Sequence, residues 1–296
     1  MIKKIFKKLL YVICILAVFV FSTAFASAAP QNQQESGTFL PVLMYHQIFL
    51  HPTYNRWGVS VDMFIRQMRA LHENGYNSVT LGQIIDYVFY DGELPENPVL
   101  ITFDDGYLNV YRYAFPVLEF FGFTAVSFVI GHNVGQSYYK DTGFPVTPKF
   151  SFEQARRMLH VMDIQSHSYD MHQFADFEPG EARINMLRWE WESILDYRAA
   201  IENDHNRIST LIYNELGIDV ISVSFPHGKF DVHLSRILYE LGVRITFGGS
   251  SRNYLERGRH QTLQGMGRFN VNDSTSIYEL LEMVRQPHSI EEYVFD

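Results

Sequence analysis

From Phe39 onward the chain alternates short, dense apolar runs with stretches in which apolar residues recur at helical spacing. Leu40 to Tyr45 is an apolar run of the kind that forms a buried strand. Val61, Phe64, Ile65, Met68 and Leu71 then recur every three or four positions and predict a helix ended by Asn74-Gly75. Asn77 to Thr80 is a short strand, followed by a helix through Ile84, Ile85 and Val88. Pro98 to Phe103 is a strongly apolar strand, a helix is predicted over Leu108 to Phe121, and Thr124 to Ile130 is the next strand. Gly131 to Pro148, rich in Gly, Tyr and Pro, reads as a loop. Ser151 has the side chain of an N-cap for a helix to His160, and Met162 to Ser166 is a strand.

A long helical stretch is expected from about Pro179 to Leu216, with a break near Asn203-Asp204 and its Arg and Glu residues forming a solvated face. Trp189 and Trp191 would pack within that helix. Strand Val220 to Phe225, helix Val232 to Leu241, strand Arg244 to Phe247, a strand near Met266 to Val271 and helix Ser276 to Val284 complete the pattern. No segment repeats another. Strands alternating with helices predict an α/β fold with a parallel sheet, and the number of units suits one barrel-like domain over residues 39–296. In such barrels the chemistry sits where strands end.

The first residues follow a different pattern. Lys3, Lys4, Lys7 and Lys8 precede an apolar run from Leu9 to about Phe25, and Ala26-Ser27-Ala28 follows. This is the pattern of a secretory signal over residues 1–28, with residues 29–38 as a polar linker. The run is also nearly long enough to serve as an uncleaved membrane anchor. Either way the domain is expected outside the cytoplasm, secreted or held at the cell surface, with membrane contact only through this segment. The only cysteine, Cys14, lies inside the apolar run, so any metal must be held by His, Asp and Glu. The net charge of −9 becomes −13 without the four signal lysines, which makes nucleic acid a poor partner. With 24 Phe, 18 Tyr and 3 Trp, the chain has rings for a packed core and also for the C–H faces of sugars.

Polar groups collect at four expected strand ends: His46, Asp104-Asp105-Gly106, His167 with His172, and Pro226-His227-Gly228. Side chains of neighbours in an extended chain diverge, so the two aspartates are suited to different tasks, and the glycine after them permits a tight turn. An isolated Asp-Asp-Gly would more often be a solvated turn; a buried strand before it reverses that expectation. His167 and His172 are five residues apart, which does not align them on a regular helix, so the segment must be a loop or carry a bulge. One Asp with two His is a facial ligand set for zinc that leaves positions open for water and substrate. His46 is either a core imidazole bonded to a backbone carbonyl or a general acid. Of the other histidines, His132 after a strand end has the most suggestive context.

The stretches Pro41-Val42-Leu43-Met44-Tyr45-His46, Leu100-Ile101-Thr102-Phe103-Asp104-Asp105-Gly106-Tyr107, Gln165-Ser166-His167-Ser168-Tyr169-Asp170-Met171-His172 and Phe225-Pro226-His227-Gly228 resemble the polysaccharide deacetylases of the NodB-homology type, carbohydrate esterase family 4. The branch with extracellular poly-N-acetylglucosamine deacetylases is the most similar, and the resemblance spans about residues 39–272. It implies a distorted (β/α) barrel and a divalent metal, usually zinc, with cobalt, nickel or manganese as alternatives. It also implies removal of N-acetyl groups from an N-acetylglucosamine polysaccharide. By motif, Asp104 would be the general base, and Asp105, His167 and His172 the metal ligands. Tyr107, Pro226 and His227 would line the substrate and oxyanion region. Many members carry an arginine just before the Pro-Tyr-Gly block to hold the base; here Ser224 stands in that place and His227 replaces the tyrosine. Arg268 is the candidate to orient Asp104 instead. The late catalytic histidine of the family has no evident counterpart, and His46 resembles its replacement in the poly-N-acetylglucosamine branch. Alternatives are the same chemistry on peptidoglycan or acetylated xylan, and a non-catalytic glycan-binding protein of the cell wall.

Overall fold

A computed structural model of the chain describes residues 37–286 apart from Pro179 and Ser251. The expected signal over 1–28 and most of the linker therefore lie outside the described residues, as do residues 287–296. Thr38, read as linker, already pairs with Leu255: strand β1 (Thr38–Phe39) lies antiparallel to a short strand at Tyr254–Leu255.

The expected alternation is present. In chain order come β2 (Val42–Tyr45), a small ribbon of β3 (Gln47–Phe49) and β4 (Gly58–Ser60), helix α1 (Val61–Glu73), β5 (Asn77–Ser78), α2 (Leu81–Phe89) and β6 (Pro98–Asp104). Next are α3 (Phe115–Phe121), β7 (Ala125–Val129), α4 (Phe152–Met158), β8 (Met162–Ser166), α5 (Ile194–Leu216) and β9 (Ser222–Ser224). The chain continues through α6 (Val232–Glu240), β10 (Ile245–Gly249), β11 (Tyr254–Leu255), β12 (Met266–Gly267), β13 (Phe269–Asn270) and α7 (Ile277–Val284).

The main sheet is parallel and runs β12-β10-β9-β8-β7-β6-β2-β13, with β5 also on β6. Its two ends, β12 and β13, are consecutive in the chain and separated only by Arg268. Met266 pairs with Phe247 of β10, and Phe269 pairs with Leu43 of β2. The sheet thus nearly closes into a barrel whose seam is the residue predicted to orient the base. The expected single strand near Met266 to Val271 is two short pieces because it changes partners at this seam.

The strand β6 is buried on both faces, as parallel strands between layers are. Val99, Ile101 and Phe103 pack into one cluster with Phe64 and Met68 of α1 and Leu118 of α3. Leu100 joins a second cluster with Val126, Phe128, Ile245 and Phe247. Asp104 has the parity of Leu100 and Thr102, so it emerges on that second face.

Five expectations are corrected. The helix predicted from Leu108 opens as a π-helical turn over Val110–Ala114 before α3. Of the stretch expected to be helical from Pro179, residues 180–192 are not helical, and the side chain of Ser193 accepts the Asp196 N–H and caps α5; α5 then passes Asn203-Asp204 unbroken. The irregular part before it is held by a buried ion pair, Arg183 to Glu192 at 2.5 Å, so those two residues are not on a solvated face. The Arg183 guanidinium lies 3.9 Å over the Trp189 ring, and Trp189 stacks on Trp191 in this loop rather than in a helix.

The turn after β6 depends on Gly106, at φ +66°. A Cβ there would meet Val129 Cγ1 at 3.0 Å, closer than ordinary contact. Gly106→Ala should lower unfolding free energy by about 1–3 kcal/mol, the cost of a left-handed non-glycine residue, read from urea midpoints. A change below measurement error would show that the turn tolerates a side chain.

Candidate active site

The strand ends converge as the pattern of polar residues predicted. A cavity of about 450 Å³ is lined by His46, Trp57, Asp104, Asp105, Tyr107, Lys149, His167, His172, Phe174, His227 and Arg268, among others. Such a volume suits a small polar ligand or one unit of a polymer.

The two adjacent aspartates point to different partners. Asp104 ends β6 and is 3% exposed. Arg268 Nη1 donates to its Oδ1 at 2.8 Å and Nη2 to its Oδ2 at 2.7 Å, a two-pronged pairing. Arg268 also donates to Ser224 Oγ at 2.9 Å and to Thr102 Oγ1 at 3.4 Å, and the Ser224 hydroxyl donates to Asp104 Oδ2 at 3.3 Å. Burial acts to raise the Asp104 pKa, but Arg268, with His167 and His46, brings it down to about 2. Ser224 and Arg268 together therefore hold Asp104.

Asp105, in the left-handed region at φ +70°, turns the other way. Its Oδ1 is 3.6 Å from His167 Nε2 and 3.7 Å from His172 Nε2. Burial acts to raise its pKa, and Lys149, His167 and His172 overcome this and hold it well below the usual carboxylate range. Burial and the neighbouring His167 lower His172 to about 3, so it is a neutral imidazole at pH 7.

Five-residue spacing of the histidines is accommodated by a loop. His167 follows β8, Ser168 sits at φ +77°, and Ser168 Oγ accepts the Met171 N–H at 3.0 Å. The buried carboxylate of Asp204, on α5, accepts the N–H groups of Tyr169 and Asp170, each at 2.8 Å. His132 supports the same loop, its Nδ1 lying 3.1 Å from the Tyr169 carbonyl and 3.1 Å from Asp170.

Asp105, His167 and His172 fit a divalent metal. Their ligand atoms all lie within 4.8 Å of one another. Asp105 Oδ1 is buried and accepts no hydrogen bond from a described residue, an arrangement costly for a carboxylate oxygen unless a cation satisfies it. His167 Nδ1 is 2.7 Å from the Ser224 carbonyl, to which it must donate, and this leaves Nε2, which faces Asp105, as the nitrogen that can offer a lone pair to a metal. Neutral imidazoles and a carboxylate are the donors that zinc and similar ions take.

His46 lies just beyond β2, its ring 4.7 Å from that of Trp57. Its Nδ1 is buried with no hydrogen-bond partner among the described residues, so the backbone carbonyl expected of a core imidazole is not there. Burial lowers its pKa, with Asp104 and Asp105 opposing. Tyr107 lines the cavity, and burial with the nearby Asp105 pushes its phenol pKa up. His227 adopts φ +57° and its ring lies 4.6 Å from that of His172. Pro226 is buried and, lacking an N–H, offers no donor to an oxyanion; the wall there is Phe225, His227 and Gly228.

Pattern reasoning missed Trp57, Asp204 and Lys149. Trp57 sits in the turn just before β4, where no period shows, and Asp204 is one acid in a helix rich in charge. Lys149 is a lone cation beside Pro148 with no local signal. It is 7% exposed, and burial pulls its pKa down to about 8 against the attraction of Asp105.

Replacing Arg268 by Met should cost about 3–5 kcal/mol at neutral pH, because a buried carboxylate loses its partner. The pH dependence gives the sign. In the native protein the depressed Asp104 pKa adds stability above about pH 4, lost as pH falls through about 2. In Arg268→Met, burial is opposed only by His167 and His46, so that pKa rises and the deficit should shrink on acidification from pH 7.5 to 4.5. Urea midpoints across that range check it; a deficit independent of pH would mean that Arg268 does not set the Asp104 charge.

A family model for polysaccharide deacetylases matches residues 91–246, over half of the chain. A candidate polysaccharide deacetylase of Bacillus subtilis, YxkH, is 28% identical over 219 residues, covering 72% of this chain and 67% of that protein. The poly-β-1,6-N-acetyl-D-glucosamine N-deacetylase of Escherichia coli K12 is 32% identical over 205 residues, 64% of this chain. This chain spans only 30% of that longer protein. The solved structure of IcaB from Ammonifex degensii superposes with a TM-score of 0.66 at 26% identity, covering 84% of this chain and 97% of that one.

Proposed function

The chain belongs to the polysaccharide deacetylase family, and from that premise we propose that it removes N-acetyl groups from N-acetylglucosamine units of an extracellular or cell-wall polysaccharide. The observation that carries this reading is the pairing, in one cavity, of a three-residue metal set with a separately held carboxylate. The similarity to poly-β-1,6-N-acetyl-D-glucosamine N-deacetylases favours an N-acetylglucosamine polymer over peptidoglycan or xylan. Export rests on the basic and apolar pattern of residues 1–28; no helix among the described residues is long and apolar enough to cross a membrane.

In this reading Asp105, His167 and His172 hold the metal, with zinc the first choice and cobalt, nickel or manganese as substitutes. The metal supplies Lewis acidity toward water and the acetamide carbonyl. Asp104, kept ionised by Arg268, accepts the proton of the attacking water. The two-pronged guanidinium fixes the carboxylate plane. Backbone N–H groups beside Tyr107 and His227 are the donors for the developing oxyanion. His46 delivers a proton to the departing amine; burial favours its neutral form, and the facing carboxylates of Asp104 and Asp105 favour the protonated form that donates. The products are acetate and a free glucosamine unit.

Acetate release from β-1,6-linked N-acetylglucosamine oligomers, with chitin oligomers, peptidoglycan and acetylated xylan alongside, tests the proposal directly. Release should be abolished by a chelator and restored by zinc. Asp104→Asn should keep the metal but lose at least about 100-fold in turnover, the typical contribution of a general base, whereas His172→Ala should lose both metal and turnover. Equal metal content in the two variants would refute the division of roles, and no acetate from any substrate would leave a glycan-binding protein. His46→Ala should lower kcat by about 100-fold with metal content unchanged. Wild-type kcat in that variant would return His46 to a packing role.

A further inference from the structure

Lys149 lines the same cavity, yet none of the steps above uses it. Its position is fixed by the loop that ends at Pro148. Tyr107 and Lys149 form an antiparallel bridge, Leu108 N–H donates to the Pro148 carbonyl at 2.8 Å, and Phe150 N–H donates to the Gly106 carbonyl at 3.0 Å. The loop is thereby stitched to the segment directly after Asp104-Asp105. The Lys149 ammonium lies 3.4 Å from the centre of the Tyr107 ring. It donates no hydrogen bond and forms no ion pair with another described residue.

That arrangement is costly for a buried cation with three N–H donors, since an aromatic face occupies only one side of it. Two arginines line the cavity as well: Arg268 is held by Asp104, Ser224 and Thr102, and the Arg56 guanidinium lies 4.5 Å over the Trp57 ring. The charges also fail to balance once the metal set is filled. Asp104 offsets Arg268 and Asp105 offsets Lys149, so a divalent ion leaves an excess of two positive charges, to which Arg56 on the cavity wall adds a third. Such a cavity attracts an anion.

We propose that the Lys149 ammonium is a carboxylate-binding group of the active-site cavity. Two sources of that carboxylate fit. Under the deacetylase reading, on which this arm rests, hydrolysis breaks the amide C–N bond. It turns a neutral acetamide into an acetate anion, while the proton goes to the amine. The anion is thus generated inside the cavity that Lys149 faces. The other source is an acidic substituent, such as an ether-linked carboxylate, on the glycan itself.

The test uses the full-length, zinc-loaded protein with Lys149→Met, Lys149→Gln and Lys149→Arg. Binding of [13C]acetate, and of acetamide as its neutral counterpart, is measured by NMR titration, which needs no turnover. Both neutral variants should weaken acetate binding at least tenfold and acetamide binding less than twofold, with Lys149→Arg close to wild type. A tenfold loss is the scale of one charge-assisted hydrogen bond. In parallel, kcat/KM is compared on oligomers with and without an ether-linked carboxylate. A selective loss on the carboxylated oligomer assigns the substituent as the ligand, and a selective loss of acetate affinity assigns the product. If either neutral variant folds and binds acetate and carboxylated oligomer as the wild type does, the proposal is overturned. A protein that binds acetate through Lys149 but releases none from any glycan would instead refute the deacetylase reading and leave this one standing.

Discussion

A carboxylate buried at the mouth of a barrel has to be matched by a cation, and here the match is Asp104 with Arg268. Removing either charge alone leaves the other stranded in low dielectric, which costs far more than a surface pair would. The guanidinium is held at both terminal nitrogens by two carboxylate oxygens and two hydroxyls, so it has little freedom to move. That rigidity passes to Asp104. It also frees Asp105 to face the histidines, so one ion pair separates the tasks of two residues adjacent in sequence.

Ser224 ties the two halves of the site together. Its hydroxyl touches both members of the ion pair, and its carbonyl fixes the His167 ring. The family position that usually supplies an arginine has a short residue here, and the short residue leaves room for a guanidinium that arrives from the seam. Asp204 plays the corresponding part for the histidine loop by holding two successive backbone N–H groups from a neighbouring helix. The proposed metal set is thus positioned by groups that do not line the cavity.

The alternation of elements was legible because buried parallel strands are continuous apolar runs and the helices between them carry a clear period; β8 matches the expected Met162 to Ser166. Asp104, Asp105, His167 and His172 stood out because polar residues directly after such runs are uncommon. What escaped was set by tertiary contact. The irregular stretch before Ser193 has the composition of a helix, and only the buried Arg183–Glu192 pair shows why it is not one. Lys149 approaches Tyr107 through a bridge between distant segments, which no local window registers. The place of Arg268 could be inferred only by asking what an absent arginine required.

The seam has a consequence for when the molecule becomes competent. Every other side chain of the proposed catalytic set lies before residue 228, but the partner of the base comes from residue 268, between the last two strands to enter the sheet. A growing chain orders its early parts first. Until about nine-tenths of this chain has been made and threaded, the barrel is open and Asp104 faces no cation. The order of synthesis is therefore also an order of assembly, in which the closing of the barrel and the arming of its carboxylate are a single event.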